Sequence, residues 1–296
     1  GDATRVITVD SKVVSSYDAT KLTDGAHTVT VTDTDRAGNS ATASIDFTLD
    51  HTAPAPTVAL SHNTDTGTGG VTVTSDASLN IADARVYATR VITLDGQVVS
   101  DYSAGRAGAL SDGTHTVVVT DTDTAGNVGS ASVTFTKDTT LTAPTVALAI
   151  DSGADATDHV TNNAALVFGA KDGDATRVIT VDDEVVDHYD PKALAEGDHT
   201  VTVTDTDRAG NSETASIGFT LDKTAPAPTV ALSHNTDTGT GGVPVTKNSS
   251  LTIPAAGLDV TRVITVDGHA PSADALLDGT HTVVVTDTDT AGNVGS

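Results

Sequence analysis

The sequence contains no cysteine, tryptophan or methionine, and aromatic residues make up 3% of its 296 positions. Without cysteine there are neither disulfides nor thiolate metal sites. With so few rings, any core must be built from Val, Ile, Leu and Ala around four Phe and four Tyr. Such cores are small. Positive charge is scarce too, 15 Lys and Arg facing 40 Asp and Glu for a formal net charge of −25. A chain of that sign repels phosphate backbones, so nucleic acid is excluded as a partner. No apolar run approaches the length of a membrane span, and no signal peptide or initiator Met opens the chain. It reads as a piece of something longer. Helical periodicity is also missing. Thr and Val dominate while Gly, Asp and Asn punctuate, which predicts an all-β protein.

What the sequence does have is repetition. TRVIT begins at Thr4, Thr89, Thr176 and Thr261, a period of about 86 residues. VTDTDRAGNS at 31–40 returns as VTDTDTAGNV at 119–128, VTDTDRAGNS at 203–212 and VTDTDTAGNV at 285–294. Alternate copies agree best, since TLDHTAPAPTVALSHNTDTGTGG at 48–70 returns with a single change at 220–242. A two-repeat unit has been duplicated.

Within the second copy, 57–60 and 78–81 read as short strands. Residues 89–94 and 97–99 flank Asp95-Gly96, a pair suited to a tight hairpin turn. Residues 115–121 and 131–137 form a longer hairpin around 124–127. About seven strands in such a span predict tandem immunoglobulin-like β-sandwich domains without the Cys-Trp-Cys core of antibodies. Short Pro-bearing links at 50–56, 138–144 and 222–228 are semi-rigid, so an elongated rod is expected. The expected domains are 1–52, lacking its first strands, then 53–139, 140–223, and 224–296, lacking its last strand.

The aspartates of the repeated motif carry the functional reading. Side chains alternate along a strand, so Asp33 and Asp35 share the face of Val29 and Val31. Two carboxylates meeting at a partly buried pole repel each other unless a cation joins them. In immunoglobulin topology that pole also receives the loop before TRVIT and the last residue of the preceding domain. The second copy thereby gathers Asp121, Asp123, Asn127, Asp83 and Asp50. The third gathers Asp205, Asp207, Asn211, Asp172 or Asp174, and Asp138. The fourth gathers Asp287, Asp289, Asn293, Asp259 and Asp222, and the first contributes Asp33, Asp35 and Asn39. All-oxygen sets of this kind suit Ca²⁺. The rival is a polar turn with Arg5, Arg90, Arg177 and Arg262 neutralising the aspartates, although one Arg does not balance three or four carboxylates. An EF-hand is excluded, because Ser44 stands where its bidentate Glu belongs. A second acidic loop, Asp151 to Asp158 with counterparts at 63–65 and 235–237, offers similar oxygens, and a solvated loop is its simpler reading.

The pattern VTVTDTDxAGNxxxAxxxFTLDxTAPxxP resembles the tandem bacterial Ig-like repeats in the extender regions of giant RTX-type adhesins exported by type I secretion. The resemblance covers essentially the whole chain. It implies calcium at domain junctions stiffening a stalk, an extracellular place on the bacterial surface, and a part in cell adhesion or biofilm formation. It matches the motif aspartates and exit-strand aspartates well and the early-loop ligands less well. The partners implied are neighbouring repeats of the same chain, with self-association in a filament or biofilm matrix beside them.

Other functions fit less well. His27, His115, His199 and His281 recur after a turn in every copy, a structural position rather than four active sites, so no enzyme is expected. A carbohydrate-binding module would want aromatic platforms that the chain lacks, and the threonine rows that could face ice are ordinary strand surface. A surface-layer or filament subunit would use the same sandwiches with lateral contacts.

Overall fold

The structure, a computed structural model, describes residues 3–67, 69–234, 237, 242–272 and 276–296. It divides into two compact units, one of Gly1–Thr139 with Arg208–Gly210 and one of Thr140–Asp207 with Asn211–Ser296. The first holds copies one and two with residues 208–210 of copy three, the second the rest of copy three and copy four.

Copy two has seven strands, the six read from the sequence and Thr72–Thr74. Five form one sheet in the order Thr72–Thr74, Val128–Lys137, Gly113–Thr122, Thr89–Leu94, Gln97–Val99, and Val58–Leu60 pairs with Leu79–Ile81 to make the facing sheet. Local chemistry sets the hairpins. Asp95 and Gly96 both take positive φ, 50° and 79°, so Leu94 meets Gln97 across the two-residue turn. Copy one begins the same way with Asp10 and Ser11, and its described part is the single sheet Lys12–Val14, Thr4–Val9, Gly25–Thr34, Ser40–Leu49.

In the second unit, copy three repeats the five-stranded order with Val160–Thr161, Ser212–Leu221, Gly197–Thr206, Thr176–Val181 and Glu184–Val186, facing Val146–Leu148 and Leu166–Phe168. Copy four contributes Thr261–Val266, Val283–Thr288 and Val294–Gly295 to one sheet, and Ala231–Leu232 with Leu251–Thr252 to another.

The cores are as small as the composition requires. In copy two, Val117, Phe135, Ala77 and Ala107 are buried, with Leu60, Leu79, Ile92, Leu94 and Tyr102 packed around them. Full burial of a Val or Phe side chain stabilises by about 1.5–3 kcal/mol, so the loss of one such residue is felt. Copy three uses Val201, Ile217, Phe219 and Leu221 in the same way. Among the described residues copy one has a single sheet, and Ile45 on it stays 63% exposed. Copy two also carries a short helix, Ala104–Ala109, whose Ala107 joins the core.

Candidate functional site

The long hairpin delivers the motif aspartates to the pole of each sandwich. Burial along Gly113–Thr122 alternates, so His115, Val117, Val119 and Asp121 all point inward. Asp121, Asp205 and Asp287 are each at most 3% exposed. A carboxylate so placed needs a partner, and in every copy it has one on the neighbouring strand. Register sets Arg90 opposite Asp121, Arg177 opposite Asp205, Arg262 opposite Asp287 and Arg5 opposite Asp33. The guanidinium is bidentate each time: Arg90 Nε and Nη2 donate to the two Asp121 oxygens at 2.7 Å, and Arg177 does the same to Asp205 at 2.7 Å. The third nitrogen is also satisfied, Arg177 Nη1 donating to the Gly169 carbonyl at 2.7 Å and Arg90 Nη1 to that of Ala82. The arginine holds the carboxyls of Asp33, Asp121 and Asp287 below the usual carboxylate range, by hydrogen bonding first and charge second.

The second aspartate turns to its own loop. Asp123 Oδ1 accepts the backbone N–H groups of Ala125 and Asn127 at 2.9 Å, and its Oδ2 accepts from Asn127 Nδ2 at 3.0 Å. Asp35 with Asn39, Asp207 with Asn211 and Asp289 with Asn293 repeat this arrangement. Three N–H donors stabilise a carboxylate without any cation. They keep Asp35 and Asp123 below the usual range, the asparagine side chain contributing most. The asparagine then reaches the preceding repeat: Asn127 Nδ2 also donates to the Asp50 carbonyl at 2.9 Å, and Asn293 Nδ2 to that of Asp222 at 2.9 Å.

The remaining expected ligands are scattered. Asp83, Asp174 and Asp259 are exposed. The carboxylates of Asp50 and Asp222 accept the N–H groups of Thr52 and Thr224, that of Asp172 the N–H of Thr142, and the Asp138 N–H donates to the Thr74 carbonyl. Among the described residues no three His, Asp or Glu side chains stand together so as to hold a metal ion. The structure does not bring the ligand sets expected for Ca²⁺ together as complete sets among the described residues. Their first aspartates are paired with arginine, and the second accept N–H groups of their own loop. Charge counting made the cluster look unbalanced because it left out the amide donors.

The second acidic loop is not a uniform solvated segment either. Within the first unit, Asp65 pairs bidentately with Arg208 at 2.8 and 2.9 Å, which holds its carboxyl far below the ordinary range. In copy three, Asp151 accepts the His159 N–H on one oxygen while the other is buried without a partner. Asn235, named with this loop, lies outside the described residues.

The histidines are structural. His115 Nδ1 lies 2.8 Å from Asp95 Oδ2 and Nε2 lies 2.9 Å from the Ser111 carbonyl, while Asp95 Oδ1 accepts the Thr116 N–H. His27 with Asp10, His199 with Asp182 and His281 with Asp267 repeat it. The turn aspartate thus pins the following long strand. The sequence signal, an Asp in each tight turn and a His starting each long strand, was present without showing that the two meet. Gly129 and Gly295 also escaped notice, and comparing the copies with their links is what finds them.

This combination, a seven-stranded two-sheet module that recurs in tandem and joins its neighbour through the loop of its last hairpin, defines an immunoglobulin-like repeat protein. Bacterial Ig-like domains match residues 1–51 and 140–223, and bacterial Ig-like domains of group 3 match 184–267. The chain belongs to the bacterial Ig-like domains. Solved structures similar to it include the tetra-tandem repeat in the extending region of a large adhesion protein, at 21% identity over 99% of this chain and 89% of that one, with a TM-score of 0.35. A Ca²⁺-stabilized adhesin that helps an Antarctic bacterium bind ice is 22% identical over 99% and 89%, with a TM-score of 0.29. A 1.5-MDa bacterial ice-binding adhesin is 20% identical over 74% and 85%, with a TM-score of 0.31. None of these likenesses says more of this chain than the family does. No curated protein matches it.

Proposed function

We propose that the chain is a spacer segment of a bacterial surface adhesin, an extracellular, non-enzymatic stalk whose task is mechanical. On this reading the repeats 1–52, 53–139, 140–223 and 224–296 are its modules, type I secretion delivers it, and cell adhesion or biofilm formation is its setting. The observation that carries the proposal is the direct hydrogen bond between consecutive repeats, Asn127 to Asp50 and Asn293 to Asp222, which lets tension and bending pass from one module to the next. The chain's family membership supports it.

Calcium belongs to this reading only in a narrowed form. With the first aspartates committed to arginine, the oxygens left for an ion at two junctions are those of Asp50, Asp83, Asp123 and Asn127, and of Asp222, Asp259, Asp289 and Asn293. Small-angle scattering and calorimetric melting of the full chain in excess Ca²⁺ and in chelator test both parts together. An elongated particle with the same profile and melting in both conditions supports a protein-only spacer, since a ligand of the folded state must raise melting. A calcium-dependent rise restores the metal. A compact particle sinks the spacer.

A second reading, a subunit of a surface layer or filament, has one observation in its favour. Val13, Val98 and Val185 occupy the same place on the outermost strand of three copies and are 72%, 74% and 71% exposed, an apolar site repeated with the module. Light scattering that shows lateral association at micromolar concentration would favour it.

A further inference from the structure

Two of the four copies place a glycine where the others do not. Across the long hairpin, Asp121 faces Gly129 and Asp287 faces Gly295, whereas Asp33 faces Ala41 and Asp205 faces Glu213. Glycine within a strand forfeits side-chain packing and costs backbone entropy, so it needs a reason. Conformation is not the reason, because neither Gly129 nor Gly295 has positive φ. Space is. A Cβ on Gly129 would overlap the carbonyl oxygen of Pro54, and a Cβ on Gly295 that of Pro226. Both obstacles are backbone atoms, which do not swing aside. The rings of Pro56 and Pro228 close the same contacts at 3.5 and 3.4 Å.

Two residues earlier stand Asn127 and Asn293, each bonded to the first carbonyl of the same link. The start of the last strand therefore lies flush along the chain arriving from the preceding repeat, held at one end by an amide and admitted at the other by a missing side chain. Both links seated in this way read Asp-x-Thr-Ala-Pro-Ala-Pro, at 50–56 and 222–228, while the link at 138–144 reads Asp-Thr-Thr-Leu-Thr-Ala-Pro. The hairpin tip is seated as well in the second unit, where Ser152 Oγ donates to the Ala291 carbonyl at 2.5 Å and Gly153 packs against Thr290 and Gly292 without room for a Cβ.

We propose that Asn-Val-Gly at the start of the last strand is a docking key that fits an Ala-Pro-Ala-Pro link, so that copy two is seated on copy one and copy four on copy three. Copies one and three, with Ala41 and Glu213, carry no such key. Each compact unit contains one keyed pair, and the alternation in sequence matches the alternation of keys. The inference concerns the joint between repeats and holds whether or not the array serves an adhesin.

The chain's lack of cysteine makes the test direct. Spin labels on cysteines introduced at the exposed positions Lys12 and Ser132 of the full chain report the copy one to copy two distance by electron double resonance. Wild type should give a narrow distribution, and Gly129→Ala should broaden it at least about twofold. Gly218→Ala is the control, a strand glycine whose added Cβ meets nothing closer than 3.9 Å, and it should leave the distribution unchanged. If Gly129→Ala unfolds copy two, Asn127→Ala, which adds no atoms, decides through the same broadening. An equally narrow distribution in a folded Gly129→Ala, or in Asn127→Ala, overturns the proposal.

Discussion

The guanidinium of Arg90 lies across both carboxylate oxygens of Asp121, and the pair is nearly closed to water, with side-chain exposures of 17% and 3%. Removing one member strands the other charge, which costs far more than the pair contributes against an apolar replacement of both. Allowing for the exposed flank of the arginine, Arg90→Ala should destabilise copy two by about 2–3 kcal/mol. The equivalent pair in copy one, Arg5 with Asp33, is exposed at 64% and 41%, and Arg5→Ala should change little. Calorimetry of the full chain, following the transition of each repeat, checks the contrast. Equal effects in both copies would show that burial does not set the worth of this pair.

A pH dependence follows from the four His–Asp pairs. Both ring nitrogens of His115 face acceptors, the Asp95 carboxylate and the Ser111 carbonyl, so the doubly protonated ring satisfies both. Burial works against that charge, yet these two partners raise His115 above 6.5 and, by the same balance, Asp95 falls below 3.8. A raised histidine contributes stability that is complete below its unfolded value and is lost as pH climbs through the folded one. A lowered aspartate contributes above its unfolded value and is lost as pH falls through the folded one. Melting should therefore be highest between about pH 4 and 6.5 and decline on both sides. His115→Gln should flatten the alkaline decline of copy two, and a wild-type profile with no alkaline decline would contradict the pairing.

Much of this was legible in the sequence. Period-2 alternation placed Asp121 on the face of Val117 and Val119, and Asp95-Gly96 gave the hairpin, because both are set by neighbours along the chain. The strand Thr72–Thr74 was not legible, since it runs parallel to Val128–Lys137 and only a contact distant in sequence reveals it. The pairing of Arg90 with Asp121 was visible as an alternative. What charge counting missed was the amide of Asn127 and the N–H groups of the loop, donors that no count of charged residues includes.

Lys137 shows the same blindness to backbone partners. At the end of a strand it looks like a polar terminus, yet it is 5% exposed and its Nζ donates to the carbonyls of Ala107, Gly108 and Leu110 at 3.3, 3.1 and 2.8 Å. These carbonyls lie at the C-terminal end of the helix Ala104–Ala109, where a cation is favoured, and that of Ala107 also accepts the Leu110 N–H. Lys137→Met keeps the stem but takes the ammonium away from the carbonyls of Gly108 and Leu110, and should cost about 1–3 kcal/mol. In copy three the same place holds Leu221, 1% exposed, with no helix among the described residues to receive a charge. Leu221→Lys should be the more damaging change, and urea denaturation of both variants, read repeat by repeat, would expose the opposite order if the helix end is not what tolerates Lys137.

The loop aspartates give the sharpest division between a capping role and a metal-binding one. Asp123 holds its loop through acceptor oxygens, and an amide oxygen accepts the N–H groups of Ala125 and Asn127 nearly as a carboxylate does. An ion would instead depend on the negative charge. If capping is the role, Asp123→Asn, which keeps the two bonds on Oδ1 but loses the one from Asn127 Nδ2, melts somewhat lower than wild type, Asp123→Ala melts lower still, and adding Ca²⁺ or chelator shifts none of the three. If an ion is held there, the deficit of the asparagine variant is larger in Ca²⁺ than in chelator, because the wild type alone gains from the metal. The geometry, with three N–H donors already on one carboxylate, favours the first pattern, and the melting curves of two variants in two buffers separate the outcomes without any need to see the ion.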